Sequence, residues 1–287
     1  VLLALALAVT LGVEYIVIDG DIGRQNTVFK FYLQGWLLFS VVSGVALAWL
    51  VSNLQTWRPT IQVVWFGAVS LLLTTALLYP ITATRARMVD RMAPQIGAVL
   101  DGMEYMAHAE HYEVVDSAIG RGELLDLSED YQVIRWLQDH IVGTPIIMEA
   151  QSEAEYRWGS RMSIYTGLPS VQGWNWHQRQ QRTFDPMPRL VQQRVANVNA
   201  FYTTEDVGIA SNILQHYQVE YVILSALEYA RYPQSGIEKL FEMVEQGILT
   251  VEYNNGRTRV FKVNLQQAKE RAFEYHQSLT VTANVVG

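Results

Sequence analysis

The sequence predicts a membrane α-helical segment of three spans followed by a soluble α/β domain with a largely parallel sheet and a C-terminal hairpin. Three observations carry that prediction. Val1 to Val13 is uninterrupted apolar sequence. The stretches between Lys30 and Arg58 and between Arg58 and Arg85 hold no charged residue. Beyond Arg85 helical and strand periods alternate. The mean hydropathy of +0.07 averages these two unlike parts and hides the division.

No basic n-region stands ahead of the first apolar stretch and no small-residue cleavage site follows it, so it reads as part of a span and not as a signal peptide. The expectation is a C-terminal piece of a larger integral membrane protein, with a truncated first span over about 1–18. A helix needs about 20 mostly apolar residues to cross a hydrocarbon layer of roughly 30 Å. Each uncharged stretch therefore has room for one span, near 31–54 and 61–79, inside a membrane segment 1–84. Trp57, Trp65 and Tyr79 lie near the ends, where amphipathic rings favour the headgroup region. A helical connector, 85–112, leads to a soluble domain, 113–264, and a partly mobile tail, 265–287.

In the soluble part, Asp126 to Ile141 opens on a capping signal and carries Val133, Ile134, Leu137 and Ile141 on one helical face. Gly143-Thr-Pro145 stops it. Short strands follow at Pro145 to Ala150 and Met162 to Thr166, then a helix at Thr204 to Tyr217, a strand at Glu220 to Ser225 and an amphipathic helix at Ile237 to Gln246. Leu249 to Tyr253 and Arg259 to Val263 form a hairpin around Asn254-Asn-Gly256. Strand, helix, strand alternation implies parallel pairing with helices on the sheet. The tail is helical over Gln266 to His276.

The 200 residues after Arg87 hold 16 basic and 25 acidic side chains. Neutralising phosphates needs a basic face, so nucleic acid is excluded as a partner. The absence of Cys removes disulfides, thiolate metal sites and Cys nucleophiles. Serine-hydrolase, Walker and zincin signatures are also absent. His108, Glu110 and His111 have the types of metal ligands, but a solvated surface accounts for them better.

Two segments concentrate chemistry. At the membrane surface, Asp19, Asp21, Arg24, Asn26 and Lys30 lie within twelve residues. Arg24 and Lys30 suit a lipid phosphate as counter-charges; the structural alternative is a snorkelling Lys, an Asp-Gly turn and an Asn cap. In the soluble domain, Ser160 to Arg182 gathers Arg161, Trp174, Trp176, His177, Arg179 and Arg182. Arg and His suit a phosphate or carboxylate and Trp planes suit a sugar ring or an isoprenoid chain. Glu149, at a strand end, would reach the same crevice, the usual ligand position in open α/β sheets. The structural alternative has the tryptophans in the core and the arginines paired with acids.

These residues resemble a known family. Asn26-Thr-Val-Phe-Lys-Phe-Tyr-Leu-Gln-Gly-Trp36, after the acidic Asp-x-Asp stretch, is similar to the hallmark of the DUF2298, or Chlor_Arch_YYY, family of polytopic membrane proteins. Downstream, Glu149, Arg161-x-Ser163, Thr166-Gly-Leu-Pro169, Gly173-Trp174, His177 and Arg182 follow its pattern, as do Tyr202-Thr-Thr, Tyr221-Val and Glu228. The resemblance implies a layout similar to GT-C glycosyltransferases, which take sugar from a polyprenyl-phosphate donor at the outer membrane face. It implies a plasma-membrane protein with an extracytoplasmic soluble domain, although Arg85, Arg87 and Arg91 beside the last span favour the cytoplasm by the positive-inside rule. Under it, Arg24, Asn26 and Lys30 hold the donor phosphate. Glu149, Arg161, Trp174, His177 and Arg182 contact donor or acceptor. Asp19 and Asp21 bind a divalent metal or orient an acceptor hydroxyl, with the main catalytic acid upstream of Val1. The competing expectation is a non-catalytic membrane protein, a transporter subunit or envelope assembly factor whose soluble domain binds glycan or lipid.

Overall fold

The computed structural model describes residues 1–18, 24–91, 96–97, 99–116, 120–152 and 155–286, with no side chain considered at 91 or 278–286. The chain divides into two compact units, Val1–Asp90 and Arg91–Gly287.

The first unit is three helices: α1 (Leu2–Gly12), α2 (Gln25–Asn53) and α3 (Pro59–Arg91), the last two joined through a 3₁₀ turn at Leu54–Thr56. Among the described residues two helical stretches, Gln25–Thr56 and Pro59–Asp90, are long and apolar enough to cross a membrane. The first of the three expected spans, expected as truncated, is not shown by that measure. The first apolar stretch forms only the eleven residues of α1, roughly 16 Å at the helical rise. Both long helices exceed the expected spans because their polar ends continue the same hydrogen-bond ladder. The buried Thr27, near the start of α2, ties back to the chain after α1: its Oγ1 accepts the Ile18 amide at 3.0 Å. The two helices approach closely at Gly35, where a Cβ would fall 2.7 Å from Thr10 Cγ2. A small residue at such a crossing is how membrane helices gain packing contact.

The second unit begins with a 3₁₀ turn (Glu104–His108) and an antiparallel ribbon, β1 (Glu110–Asp116) with β2 (Arg121–Asp126). The expected helical connector therefore ends in a strand. Next come α4 (Leu127–His140), β3 (Ile146–Met148), α5 (Arg161–Thr166), α6 (Asn175–Gln181), α7 (Met187–Thr203), α8 (Val207–Tyr217) and β4 (Val219–Leu224). The remainder is α9 (Ala226–Arg231), α10 (Gln234–Glu245), β5 (Leu249–Asn255), β6 (Thr258–Val263) and α11 (Leu265–Val286). Asp126 caps α4 through the Ser128 amide at 2.8 Å, and Val133, Ile134 and Leu137 are its buried face. Asp206 caps α8 through the amides of Gly208 and Ile209. α11 runs past the expected end of the tail helix to Val286.

The sheet has order β3-β4-β6-β5. Only β3 and β4 run parallel; β4 pairs with β6, and β6 with β5, antiparallel. The expected largely parallel sheet is thus mixed. The C-terminal hairpin forms as read, but it inserts its second strand beside β4, and a tight hairpin can only join antiparallel neighbours. The expected strand over Met162 to Thr166 is helix α5. Ser160 enters it at φ 64° and Gly167 leaves it at φ 77°, left-handed residues that close one short helix at both ends. Strand-like pairing with Ile147 is made instead by Ser170.

Candidate functional site

Glu149 follows β3, Ser225 follows β4, and Arg161 opens α5, so the C-terminal ends of the two parallel strands meet the first turn of α5. Arg161 is 1% exposed. Its Nε donates to Asp130 Oδ2 at 2.6 Å, Nη1 to Glu228 Oε1 at 3.3 Å, and Nη2 to Glu228 Oε2 at 2.8 Å and Ser225 Oγ at 2.5 Å. Nη1 also lies 3.7 Å from Glu149 Oε2. The carboxylates are engaged in turn. Glu149 accepts the amides of Met162 (2.9 Å) and Ser163 (3.0 Å), Glu228 those of Ala150 and Ser225 (both 2.8 Å), and Asp130 the indole N–H of Trp158 (2.6 Å). Glu149 and Arg161, expected on a ligand crevice, sit inside the core with their polar atoms occupied by protein. Three carboxylates around one guanidinium are tolerated there because backbone amides and a hydroxyl supply the remaining hydrogen bonds.

Burial pushes the Glu149 carboxyl up to about 7, with Glu228 adding to the rise and Arg161 and the two amides opposing it. Burial alone would lower Arg161; Asp130, Glu228 and Glu149 outweigh it and hold the guanidinium above its usual range. Between the ordinary carboxyl value of 4.5 and about 7 the folded chain keeps a proton that the unfolded chain has released. Stability tied to Glu149 is therefore full below that window and is lost as pH rises through it, by about 3 kcal/mol at most. Denaturant midpoints across this range are expected to fall for the parent and to fall less for Glu149→Gln. Parallel curves would mean that Glu149 does not titrate there.

Trp174 and His177 are brought together elsewhere, around α6. Tyr156 Oη is 2.9 Å from His177 Nδ1, and the Tyr156 ring meets Trp174 edge-on at 4.9 Å. Glu155 accepts the backbone amides of Trp176 and His177, which seats the start of α6. The Arg179 guanidinium lies 5.2 Å from the Trp176 ring centre. Arg182, just past α6, is exposed. Five buried polar atoms in this segment have no hydrogen-bond partner: both amide atoms of Gln172, Trp174 Nε1, Asn175 Oδ1 and Arg179 Nε. Gln151 Nε2 is also buried without a hydrogen-bond partner.

In the first unit, Asp19 and Asp21 lie outside the described residues, and with them the proposed metal position. Arg24, at φ 60°, pairs with Glu14 at 3.0 Å, and Tyr32 donates to the same carboxylate at 3.4 Å. Asn26 and Lys30 are exposed on the first turns of α2. An open groove of about 590 Å³ runs from Arg24 along Val28, Phe29, Tyr32 and Leu33 to Trp36. Among the described residues no group of three or more His, Asp or Glu is placed to hold a metal ion; His111 instead turns to Glu113 at 3.0 Å.

Residues 1–39 match the family model described as Uncharacterized membrane protein (DUF2298). No curated protein and no solved structure matches the chain. The DUF2298 match covers α1 and the first half of α2, with Arg24, Asn26 and Lys30, and stops before α3. With the two long apolar helices it describes a membrane protein. The α5–α6 segment lies outside the match.

Sequence reasoning did not single out Asp130, Ser225, Tyr156, Glu155, Gln172 or Asn175. Ser225-x-x-Glu228 is a readable capping box, and the structure confirms it at the start of α9. Asp130 carries no such signal.

Proposed function

We propose that this membrane protein binds a glycan carried on a polyprenyl phosphate, with the α6 region as the surface that meets the sugar. The observation that supports this is the set of unpaired buried donors and acceptors around Gln172, Trp174, Asn175 and Arg179, beside the rings of Tyr156, Trp174 and Trp176. Each buried polar atom left unpaired costs about 1–3 kcal/mol, so the segment is better satisfied by a guest that both donates and accepts. Sugar hydroxyls do both, and the C–H faces of a pyranose suit aromatic planes. Binding fits this arrangement better than transfer chemistry. Glu155, the described carboxylate that touches the cluster, already seats the α6 backbone, and Glu149 and Arg161 are spent in the core.

The test is binding of labelled polyprenyl-phosphate sugars to the complete protein in proteoliposomes. Saturable binding is expected, weakened roughly tenfold or more (about 1.4 kcal/mol) in Trp174→Ala and in His177→Ala, with melting midpoints near the parent's. No saturable binding to any sugar in the panel would sink the proposal. Label transferred to an acceptor, and lost in the same variants, would replace it with a glycosyltransferase of GT-C type.

A further inference from the structure

We infer that the guest at α6 carries an anionic group, a phosphate or a carboxylate, beside its sugar ring, and that Arg179 and Arg182 hold it. The inference rests on the glycan reading above and adds where in the soluble unit the anion is held and that the sugar alone does not account for binding. It starts from a local inversion of charge. The chain as a whole has a net charge of −7, yet between Tyr156 and Arg194 six arginines stand against a single acid, Asp185.

Half of those arginines have defined internal work. Arg161 is bound in the buried cluster, Arg189 pairs with Asp185 at 2.7 Å, and Arg194 donates to the Val171 carbonyl at 3.2 Å. Among the described residues, Arg157, Arg179 and Arg182 have no carboxylate within ion-pair distance. Glu155, two residues before Arg157, has both oxygens on the amides of Trp176 and His177. Among the described residues, the excess positive charge of this segment is left without carboxylate partners.

The placement of two of the three is specific. The Arg179 guanidinium lies over the Trp176 ring, and its Nε is buried without a hydrogen-bond partner. Arginine presents its N–H donors in a planar fork that binds carboxylate or phosphate through two parallel bonds. Arg182 follows three residues later, its amide bonded to the Arg179 carbonyl at 3.3 Å, which puts both side chains at one end of α6. Cations at a helix C-terminus also complement its dipole. That effect acts on exposed charge and does not account for a buried Nε left unpaired, nor for Gln172, which is 1% exposed with both amide atoms unpaired.

The experiment compares four probes on the complete protein in detergent: a free hexose, the same hexose 1-phosphate, the corresponding hexuronic acid, and inorganic phosphate. Anionic and neutral phospholipid vesicles form a fifth arm. The expected result is that one or both anionic sugars bind roughly tenfold or more tighter than the free hexose, with the difference shrinking as salt rises. The Arg179→Gln/Arg182→Gln double variant should lose that difference and keep the melting midpoint of the parent. Equal affinity for hexose and both anionic sugars overturns the inference and leaves the glycan reading standing. Phosphate binding as tightly as hexose 1-phosphate, with no hexose binding, overturns the glycan reading and keeps the anion site. Binding to anionic vesicles alone, lost in the double variant, overturns both in favour of a membrane-surface contact.

Discussion

Arg161→Ala is expected to destabilise the soluble unit by about 3–5 kcal/mol, the cost of leaving buried charges without their partner. Asp130, Glu149 and Glu228 would remain in a space closed to solvent with the guanidinium gone, and Ser225 and Trp158 would lose the arrangement that orders them. Lysine is not a substitute, because one ammonium cannot reach Asp130 on one side and Glu228 on the other with a planar fork. For a unit of this size the change corresponds to a melting midpoint lower by roughly 10 °C. A drop under about 1 kcal/mol would show that Arg161 reaches solvent and is open to a ligand role. The comparison with His177→Ala is informative, since that variant should lose ligand and keep its midpoint.

Gly236→Ala carries the second large effect. A Cβ at position 236 would fall 2.1 Å from the Tyr202 carbonyl oxygen and 2.9 Å from that of Thr203. These are backbone atoms at the end of α7, so α10 as a whole must move away. The movement would pull Lys239 from the Phe201 carbonyl to which it donates, and disturb Tyr202, whose hydroxyl bonds the carbonyls of Met148 and Ile223 at the strand ends. Overpacking of this kind costs about 1–3 kcal/mol and sometimes more, against a gain of about 1 kcal/mol in helix propensity. A net loss near 2 kcal/mol in denaturant unfolding is the expected reading. A variant as stable as the parent would place the two helices farther apart than described.

What was legible beforehand depended on how local the signal was. α4, α8 and the β5–β6 hairpin were readable because capping carboxylates, apolar spacing and the Asn-Asn-Gly turn lie within each element. The direction of the sheet was not, since nothing in Arg259 to Val263 says that it docks beside β4. Met162 to Thr166 looks like a strand by composition; it is a helix because Glu149 binds its first amides and left-handed Ser160 and Gly167 bound it. Arg161 stood out as unusual, but its partners Asp130, Ser225 and Glu228 lie 31 to 67 residues away, a separation at which a single sequence gives no pairing signal. The resemblance to DUF2298 rests on residues from Asn26 to Glu228, whereas the family match covers residues 1–39.

The buried Arg161 cluster ties α4, the end of β3, α5 and the start of α9 through one side chain, enclosing the chain from Asp130 to Glu228. In a protein with no cysteine this is the counterpart of a crosslink. Unlike a disulfide it is indifferent to reducing agents and needs no oxidising compartment to form. It also hangs on one residue, because removing the guanidinium leaves three buried acids uncompensated. A transplant of α5 onto another scaffold would therefore have to carry Asp130, Glu149, Arg161, Ser225 and Glu228 with it as one piece.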